Sequence, residues 1–151
     1  MPESFPLAFV EIRVLAHATE DQDKVLKAFK EVISETALEE LKIIREKLVG
    51  HYKNPIELMH VKVHSKSLAN EIVVNIFSKL ARHEYTSLLE MVENRLDNRG
   101  ALFLRLDKQA AYCGKLQFSD SDPVRVQIKL LIPHKQRDRI IETFKEIINV
   151  K

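Results

Sequence analysis

The sequence predicts a single α+β domain over residues 1–151, in which helices pack on one face of a mostly antiparallel sheet. Segments of alternating apolar and polar residues, typical of half-buried strands, occur between segments with the periodicity of amphipathic helices. Their order, a strand, a helix, a hairpin, two helices, further strands and a last helix, favours a sheet covered on one face. Three glycines and five prolines in 151 residues exclude long flexible linkers.

A strand and a helix open the chain. Residues 8–17 alternate between apolar and polar side chains, which predicts a strand with one buried face. Thr19 is the predicted N-cap of the next helix, whose apolar stripe lies within residues 25–33.

Residues 36–49 allow two interpretations. Leucines at helical spacing favour a helix, whereas residues 43–49 can equally form a strand. Residues 50–55 indicate a turn, and residues 57–64 alternate clearly. Because two strands on either side of a short turn make a hairpin, we prefer the strand for residues 43–49.

The middle of the chain is predicted to be helical. Ser67 is the expected cap of a first apolar stripe at residues 69–80, and a second stripe occupies residues 85–96. No glycine or proline interrupts them before Gly100, so they form one long helix or two helices joined near residues 81–83.

The last third of the chain returns to strands. Alternation predicts strands at residues 102–106, 115–118 and 124–132, with a short helix at residues 108–113. Pro133 is expected to start the last helix, since proline is well tolerated in a first helical turn.

The net charge of +2 conceals a segregation of charge. On the strands, the residues facing away from the predicted helices are mostly basic, with one or two acids among them. These basic residues are Arg13, Lys62, Arg105, Lys115, Arg125 and Lys129, with His17, His60 and His64 beside them. Between residues 20 and 46, on the helical side, eight acids stand against five bases. A basic face suits a polyphosphate, because each cation that neutralises a phosphate releases a counterion. The alternative is an ordinary solvated face whose cations protect the sheet edges.

Few aromatic side chains accompany these cations. Phe103 lies on the predicted basic face, and Tyr112 and Tyr52 are nearby in the sequence. If RNA binds this face, we therefore expect contacts with its backbone and shape rather than stacking on its bases.

Two stretches resemble a known family. Residues 102–116 read LFLRLDKQAAYCGKL and residues 50–56 read GHYKNPI. With residues 17–20, they are similar to the archaeal family catalogued as RNA-binding proteins and labelled exosome subunits. The resemblance covers almost the whole chain. It implies an α+β fold related to the ribosomal protein that holds 5S rRNA, a hairpin around residues 50–55 and no catalytic activity.

The predicted RNA-binding residues come from the basic face and from these stretches. Arg105, Lys108 and Lys115 are three nearby cations, and the turn at residues 50–55 offers hydrogen-bond donors and one ring. The full set is His51, Tyr52, Lys53, Asn54, Lys62, Arg105, Lys108, Gln109, Tyr112, Lys115, Arg125 and Lys129. The alternative for Gln109 and for the turn is that they only fix tight connections.

Chemistry other than binding has little support in the sequence. His60 and His64 lie about 13 Å apart along a strand, too far to share a zinc ion. A metal-dependent nuclease would rest on the carboxylates of Asp107, Asp120 and Asp122 alone. We therefore predict no catalytic residue, no metal and no cofactor.

RNA is the predicted partner, structured RNA in particular, with ribosomal RNA as one candidate and exosome proteins as further partners. The rival hypothesis is a protein-interaction or dimerisation module of an RNA-processing complex, and a homodimer is left open. The absence of a long apolar segment predicts no membrane partner. With no signal peptide and a single cysteine, Cys113, we expect a cytoplasmic protein.

Overall fold

The computed structural model describes residues 5–149, apart from the side chain of His51. Its strands are β1 (Leu7–His17), β2 (Ile44–Val49), β3 (Pro55–Val63), β4 (Leu102–Leu106) and β5 (Val124–Leu130). Its helices are α1 (Gln22–Ile33), α2 (Glu35–Leu38), α3 (Lys66–Lys79), α4 (Arg82–Met91), α5 (Lys108–Tyr112) and α6 (Arg137–Asn149). Short 3-10 turns lie at His51–Lys53 and Glu93–Arg95.

The five strands form one sheet in the order β2-β3-β1-β5-β4, and every neighbouring pair is antiparallel. The central strand β1 pairs with β3 on one side and β5 on the other. This arrangement confirms the predicted α+β class with an antiparallel sheet.

The helices cover one face of the sheet. Val10 and Ile12 of β1 point to this face and are fully buried. Phe29 of α1, Phe77 of α3 and Phe144 of α6 are buried in the same core. Burial of one such side chain contributes roughly 1.5–3 kcal/mol, so these rings hold the helices on the sheet. The other face, called the open face below, is lined by the alternate residues of each strand.

The β2–β3 hairpin confirms the strand interpretation of residues 43–49. The backbone N–H of Gly50 donates to the carbonyl of Asn54 at 2.8 Å and closes the turn. Tyr52 and Lys53 adopt left-handed backbone conformations, with φ of 59° and 61°. Such angles are uncommon outside glycine, so the hairpin tip has a defined shape.

Both N-cap predictions were wrong by two residues. Asp21, not Thr19, caps α1, and its carboxylate accepts a hydrogen bond from the N–H of Asp23 at 2.9 Å. Ser65, not Ser67, caps α3. Alternation shows that a strand is present but not where the chain turns after it. Here the turn after β1 includes Thr19, whereas only two residues separate β3 from α3.

The long helical stretch consists of two helices. Leu80 and Ala81 have extended backbones between α3 and α4. Leu80 forms a parallel bridge with Leu116, and the N–H of Ala81 donates to the Leu116 carbonyl at 2.9 Å. The helix is thus interrupted by pairing with a distant segment of chain.

Two later predictions need correction. Residues 115–118 form no continuous strand, only isolated bridges at Leu116 and Phe118. Leu116 pairs with Leu80 after α3, and Phe118 pairs with Leu106 at the end of β4, so no single partner strand extends along these residues. The last helix begins at Arg137 rather than Pro133, because the residues between them form turns.

Candidate nucleic-acid interface

Three arginines lie side by side on the open face. Arg13 of β1 is directly opposite Arg125 of β5, which is directly opposite Arg105 of β4. Opposite residues in an antiparallel pair point to the same face, and neighbouring strands are about 4.8 Å apart. The three side chains therefore start within about 10 Å of one another. We call Arg13, Arg125 and Arg105 the arginine row.

The charge of the arginine row is poorly balanced. All three residues are exposed. Arg105 Nη1 is 3.5 Å from Asp120 Oδ1, but the Asp120 side chain is 93% exposed, so this pair is weak. Within residues 5–149, neither Arg13 nor Arg125 has a side-chain hydrogen bond or an ion pair. Like charges opposite one another destabilise a sheet, so the row does not serve stability.

The arginine row borders a depression of about 360 Å³. On one side of the row, Leu15 and Leu58 lie opposite each other, and both line the depression. Leu58 is only 8% exposed although it lies outside the main core. We call these two residues the leucine pair. An apolar surface thus adjoins three guanidinium groups.

A mixed row lies on the other side of the arginines. Gln127 of β5 is opposite Glu11 of β1 and opposite Phe103 of β4. All three residues line the depression. The carboxylate and the amide can form hydrogen bonds with a ligand, and Phe103, 39% exposed, presents part of a ring.

Two predicted lysines lie on the same face, beyond this row. Lys62 is opposite Glu11, and its Nζ lies 4.3 Å from the centre of the Phe9 ring. Lys129 is opposite Phe9, and its Nζ donates to the Leu130 carbonyl at 3.2 Å. The sheet therefore brings Lys62, Lys129, Arg105 and Arg125 together on one surface.

Lys108 has a different environment. Its side chain is 13% exposed, and Nζ lies 2.6 Å from Asp122 Oδ2 and 3.0 Å from Glu20 Oε1. Nζ also donates to the Leu15 carbonyl at 2.6 Å. His17 Nε2 is 3.1 Å from the other oxygen of Asp122. This ion cluster joins the end of β1, the start of α5 and the turn before β5. Because the ammonium is already neutralised, we expect Lys108 to shape the site rather than contact phosphate.

The cluster changes the pKa of Asp122. Partial burial acts to raise this pKa, but hydrogen bonds and charge from Lys108 and His17 outweigh it and hold the pKa below its ordinary value. Asp122 is therefore ionised at neutral pH.

The same carboxylates bear on the nuclease hypothesis. Among residues 5–149, His17, Glu20 and Asp122 are the one group of such side chains close enough to share an ion. Lys108 already supplies a positive charge to both carboxylates. Asp107 instead caps α5, where its Oδ2 accepts from the N–H of Ala110 at 2.8 Å. The aspartates of that hypothesis thus have separate structural partners.

The remaining predicted residues lie apart from the arginine row. Tyr112 is on the helical side, with Lys27 Nζ 4.5 Å from its ring. Gln109 is exposed on α5, and its Nε2 lies 3.7 Å from Cys113 Sγ. Lys115 is exposed just after α5, outside the strands.

The hairpin tip forms a separate surface. Tyr52, Lys53 and Asn54 are exposed there, Tyr52 to 96%. The side chain of His51 lies outside the described residues. The tip follows the pair of His17 and Ile56, about 13 Å along β1 from the arginine row. A role in RNA binding remains a prediction for these residues.

A family model described as RNA binding matches residues 9–130. The chain belongs to this RNA-binding family. It is 30% identical over 143 residues to RNA-binding protein PAB1135 of Pyrococcus abyssi, which covers 91% of this chain and 90% of that protein. It is also 28% identical over 141 residues to uncharacterized protein MJ0213 of Methanocaldococcus jannaschii, covering 88% of this chain and 92% of that protein. The predicted membership of an archaeal RNA-binding family is confirmed.

Solved structures of archaeal proteins share the fold of this RNA-binding family member. Protein AF2318 of Archaeglobus fulgidus, assigned to the DUF54 family, superposes with a TM-score of 0.79 at 29% identity, covering 93% of this chain and 99% of that one. Mth689 of Methanothermobacter thermautotrophicus, a DUF54 protein, gives a TM-score of 0.76 at 24% identity, covering 95% and 98%. Among the residues described here, no helix is both long and apolar enough to cross a membrane.

The structure adds residues to the site that the sequence analysis had left out. Arg13 belongs to the basic residues of the face but not to the predicted set of RNA-binding residues. Leu15, Leu58 and Glu11 were not in that set either, and Phe9 was not considered as a ring. The signal for Arg13, Leu15 and Phe9 was present, since the alternation of residues 8–17 places them on the open face. Their neighbours depend on strand register, which required the structure.

Proposed function

We propose that this chain binds structured RNA through the open face of its sheet, without changing the RNA chemically. The arginine row supplies the main phosphate contacts. The observation behind this proposal is that three guanidinium groups lie side by side on adjacent strands and that, within the described residues, Arg105 alone of the three has an ion pair, with the exposed Asp120. Guanidinium groups donate two parallel hydrogen bonds to a phosphate, and an unbalanced row of them attracts a polyanion.

The surroundings of the row support a backbone contact several phosphates long. Lys62 and Lys129 extend the positive surface on the same face. The partner of Arg105, Asp120, is so exposed that a phosphate can replace it at little cost. These features favour recognition of backbone and shape, which is how proteins bind RNA helices.

Binding without catalysis agrees with the positions of the carboxylates. Asp107 caps a helix and Asp122 is paired with Lys108 and His17. Neither is free to share a catalytic metal ion without losing these partners.

The test is equilibrium binding of an RNA hairpin at several salt concentrations. In one variant, all three members of the arginine row are replaced by glutamine. In the matched control, three exposed helical lysines, Lys24, Lys30 and Lys145, are replaced by glutamine, so that the net charge changes equally. At about 1 kcal/mol for each exposed contact, the arginine variant should bind roughly 100-fold more weakly. The slope of its log affinity against log salt concentration should be smaller in magnitude by about 2–3, because fewer counterions are released on binding. Equal losses in both variants would contradict the proposal.

Association with exosome proteins or with ribosomal RNA is the finer part of the proposal. Sequencing of the RNA that copurifies with the tagged chain, and mass spectrometry of the accompanying proteins, would test it. Recovery of ribosomal or exosome components that depends on the arginine row would support this part, and recovery of neither would reject it.

Protein association is a second candidate function, and one observation favours it. Strand β2 forms an edge of the sheet, and Ile44, Leu48 and Val49 are exposed along it. An exposed edge strand is a place where another strand can add. Sedimentation of the wild type and of the Val49→Lys variant would test this. A dimer that the substitution disrupts supports the candidate, and a monomer at all concentrations rejects dimerisation.

A further inference from the structure

We infer that the depression on the open face binds one unpaired nucleotide of the RNA, with its base beside Phe103 and Gln127 and its phosphate on the arginine row. This inference rests on the proposed function of the same face. It adds a ligand class that backbone contacts alone do not require, namely a nucleotide that is not base-paired.

The dimensions of the depression agree with this ligand. Its volume of about 360 Å³ lies near the lower end of the range for small-molecule sites, which begins at roughly 300 Å³. A base within a duplex is stacked between its neighbours and cannot enter such a site. A base from a bulge or a loop can enter, because it is already unstacked.

The apolar part of the lining indicates more than a phosphate site. Phe103 presents part of a ring on one side of the arginine row, and Leu15 and Leu58 form an apolar surface on the other side. Phosphate gains nothing from such a surface. The flat face of a base does, because contact with apolar or aromatic side chains removes it from water.

The polar part of the lining can contact the edge of a base. Phe103 offers a partly exposed ring, while Glu11 and Gln127 offer a carboxylate and an amide. A carboxylate only accepts hydrogen bonds, so Glu11 favours a base with an exocyclic amino group. Adenine, cytosine and guanine should therefore be preferred to uracil.

The first test uses small ligands and the wild-type chain, followed by the NMR signals of its backbone amides. Adenosine 5′-monophosphate should shift the amides of Phe103 and Gln127, in addition to those of the arginine row. Inorganic phosphate should shift only the arginine row, and adenosine should bind at least tenfold more weakly than its monophosphate. Identical shifts with phosphate and with the nucleotide would overturn the inference. A uridine nucleotide that binds as well as the adenosine nucleotide would overturn the role of Glu11.

The second test compares two RNA hairpins that differ by one unpaired adenosine in the stem. Stacking of one base accounts for a fivefold or larger gain in affinity, so the bulged hairpin should bind at least fivefold more tightly. The Phe103→Ala variant should lose this preference while its affinity for the paired hairpin changes less than twofold. Met91→Ala, at an equally exposed apolar position on α4, is the matched control and should keep the preference.

The outcomes separate this inference from the proposed function. Equal binding of both hairpins by the wild type would overturn the nucleotide site and leave RNA binding intact. Binding of neither hairpin would overturn both. A preference that survives in Phe103→Ala would remove this ring from the site. If Phe103→Ala fails to unfold cooperatively, Phe103→Leu, which keeps an apolar side chain and removes the ring, provides the same comparison.

Discussion

Replacing Arg125 by glutamine should make the protein more stable and weaken its binding to RNA. Arg125 is the middle member of the arginine row, with a like charge directly opposite on each side. Glutamine keeps much of the aliphatic part of the side chain and removes the charge. The two effects have the same origin, because a charge that repels its neighbours in the free protein attracts phosphate in the complex.

The size of the effect follows from the strand spacing. Two unit charges about 5–6 Å apart repel by about 0.7–0.8 kcal/mol in water, and Arg125 has two such neighbours. Long side chains can move apart, ions screen them, and Asp120 offsets part of the charge of Arg105. We therefore expect the free energy of unfolding to rise by about 0.5–1 kcal/mol at low ionic strength, and less at high ionic strength.

Urea denaturation at 20 and 500 mM salt would measure this difference, with RNA affinity measured on the same samples. Lys62→Gln is the control on the same face. Lys62 is opposite the acidic Glu11, so its loss should leave stability unchanged or slightly reduced. A loss of stability in Arg125→Gln that is equal at both salt concentrations would contradict this prediction, since packing rather than charge would then determine the change.

Three further predictions concern the parts of the fold that hold the site. Lys108→Met should lower the free energy of unfolding by about 2–3 kcal/mol, because it leaves two partly buried carboxylates without their cation. Because the pKa of Asp122 is lower in the folded protein than its ordinary value of 3.8, its ionisation stabilises the fold above about pH 4. This stabilisation is lost as the pH falls through the lower folded pKa. The free energy of unfolding of Asp122→Asn should therefore depend less on pH below about pH 4. Gly100→Ala should lower the free energy of unfolding by about 2 kcal/mol or more, because φ is +80° and the new Cβ would lie 2.6 Å from Ile140 Cδ1. Gly114→Ala should lower it by about 1 kcal/mol, because φ is +84° but no atom lies within 4 Å of the new Cβ.

Denaturation curves would check all three predictions. The ion cluster would be unimportant for stability if Lys108→Met unfolded at the same urea concentration as the wild type. Parallel stability curves for wild type and Asp122→Asn between pH 2 and 4 would show that Asp122 is not stabilised by its partners. Equal costs for the two glycine variants would show that contact with Ile140 contributes nothing at Gly100.

Much of the fold was predictable because strand patterns are local. Alternation in β1, β3 and β5 is strong, and the turn at residues 50–55 was enough to assign β2 as its partner. The break between α3 and α4 was left open for a physical reason. It depends on pairing of Leu80 with Leu116, which no local pattern reveals.

The site was predictable in part. A period of two is enough to place Arg105 and Arg125 on one face, but only the register aligns them with Arg13. Lys108 shows the limit of such reasoning more clearly. Its partners Glu20 and Asp122 lie 88 and 14 residues away in sequence, so the sequence shows a cation but not its neutralisation.

Mapping of backbone amide shifts in the complex with a structured RNA hairpin would locate the RNA-binding surface on the protein. The largest changes should lie in β1, β5 and β4, centred on the arginine row, and α1 and α6 on the opposite side of the sheet should change little. If the largest changes lay on α1 and α6 instead, RNA would bind the helical side and the open face would not be the RNA-binding surface.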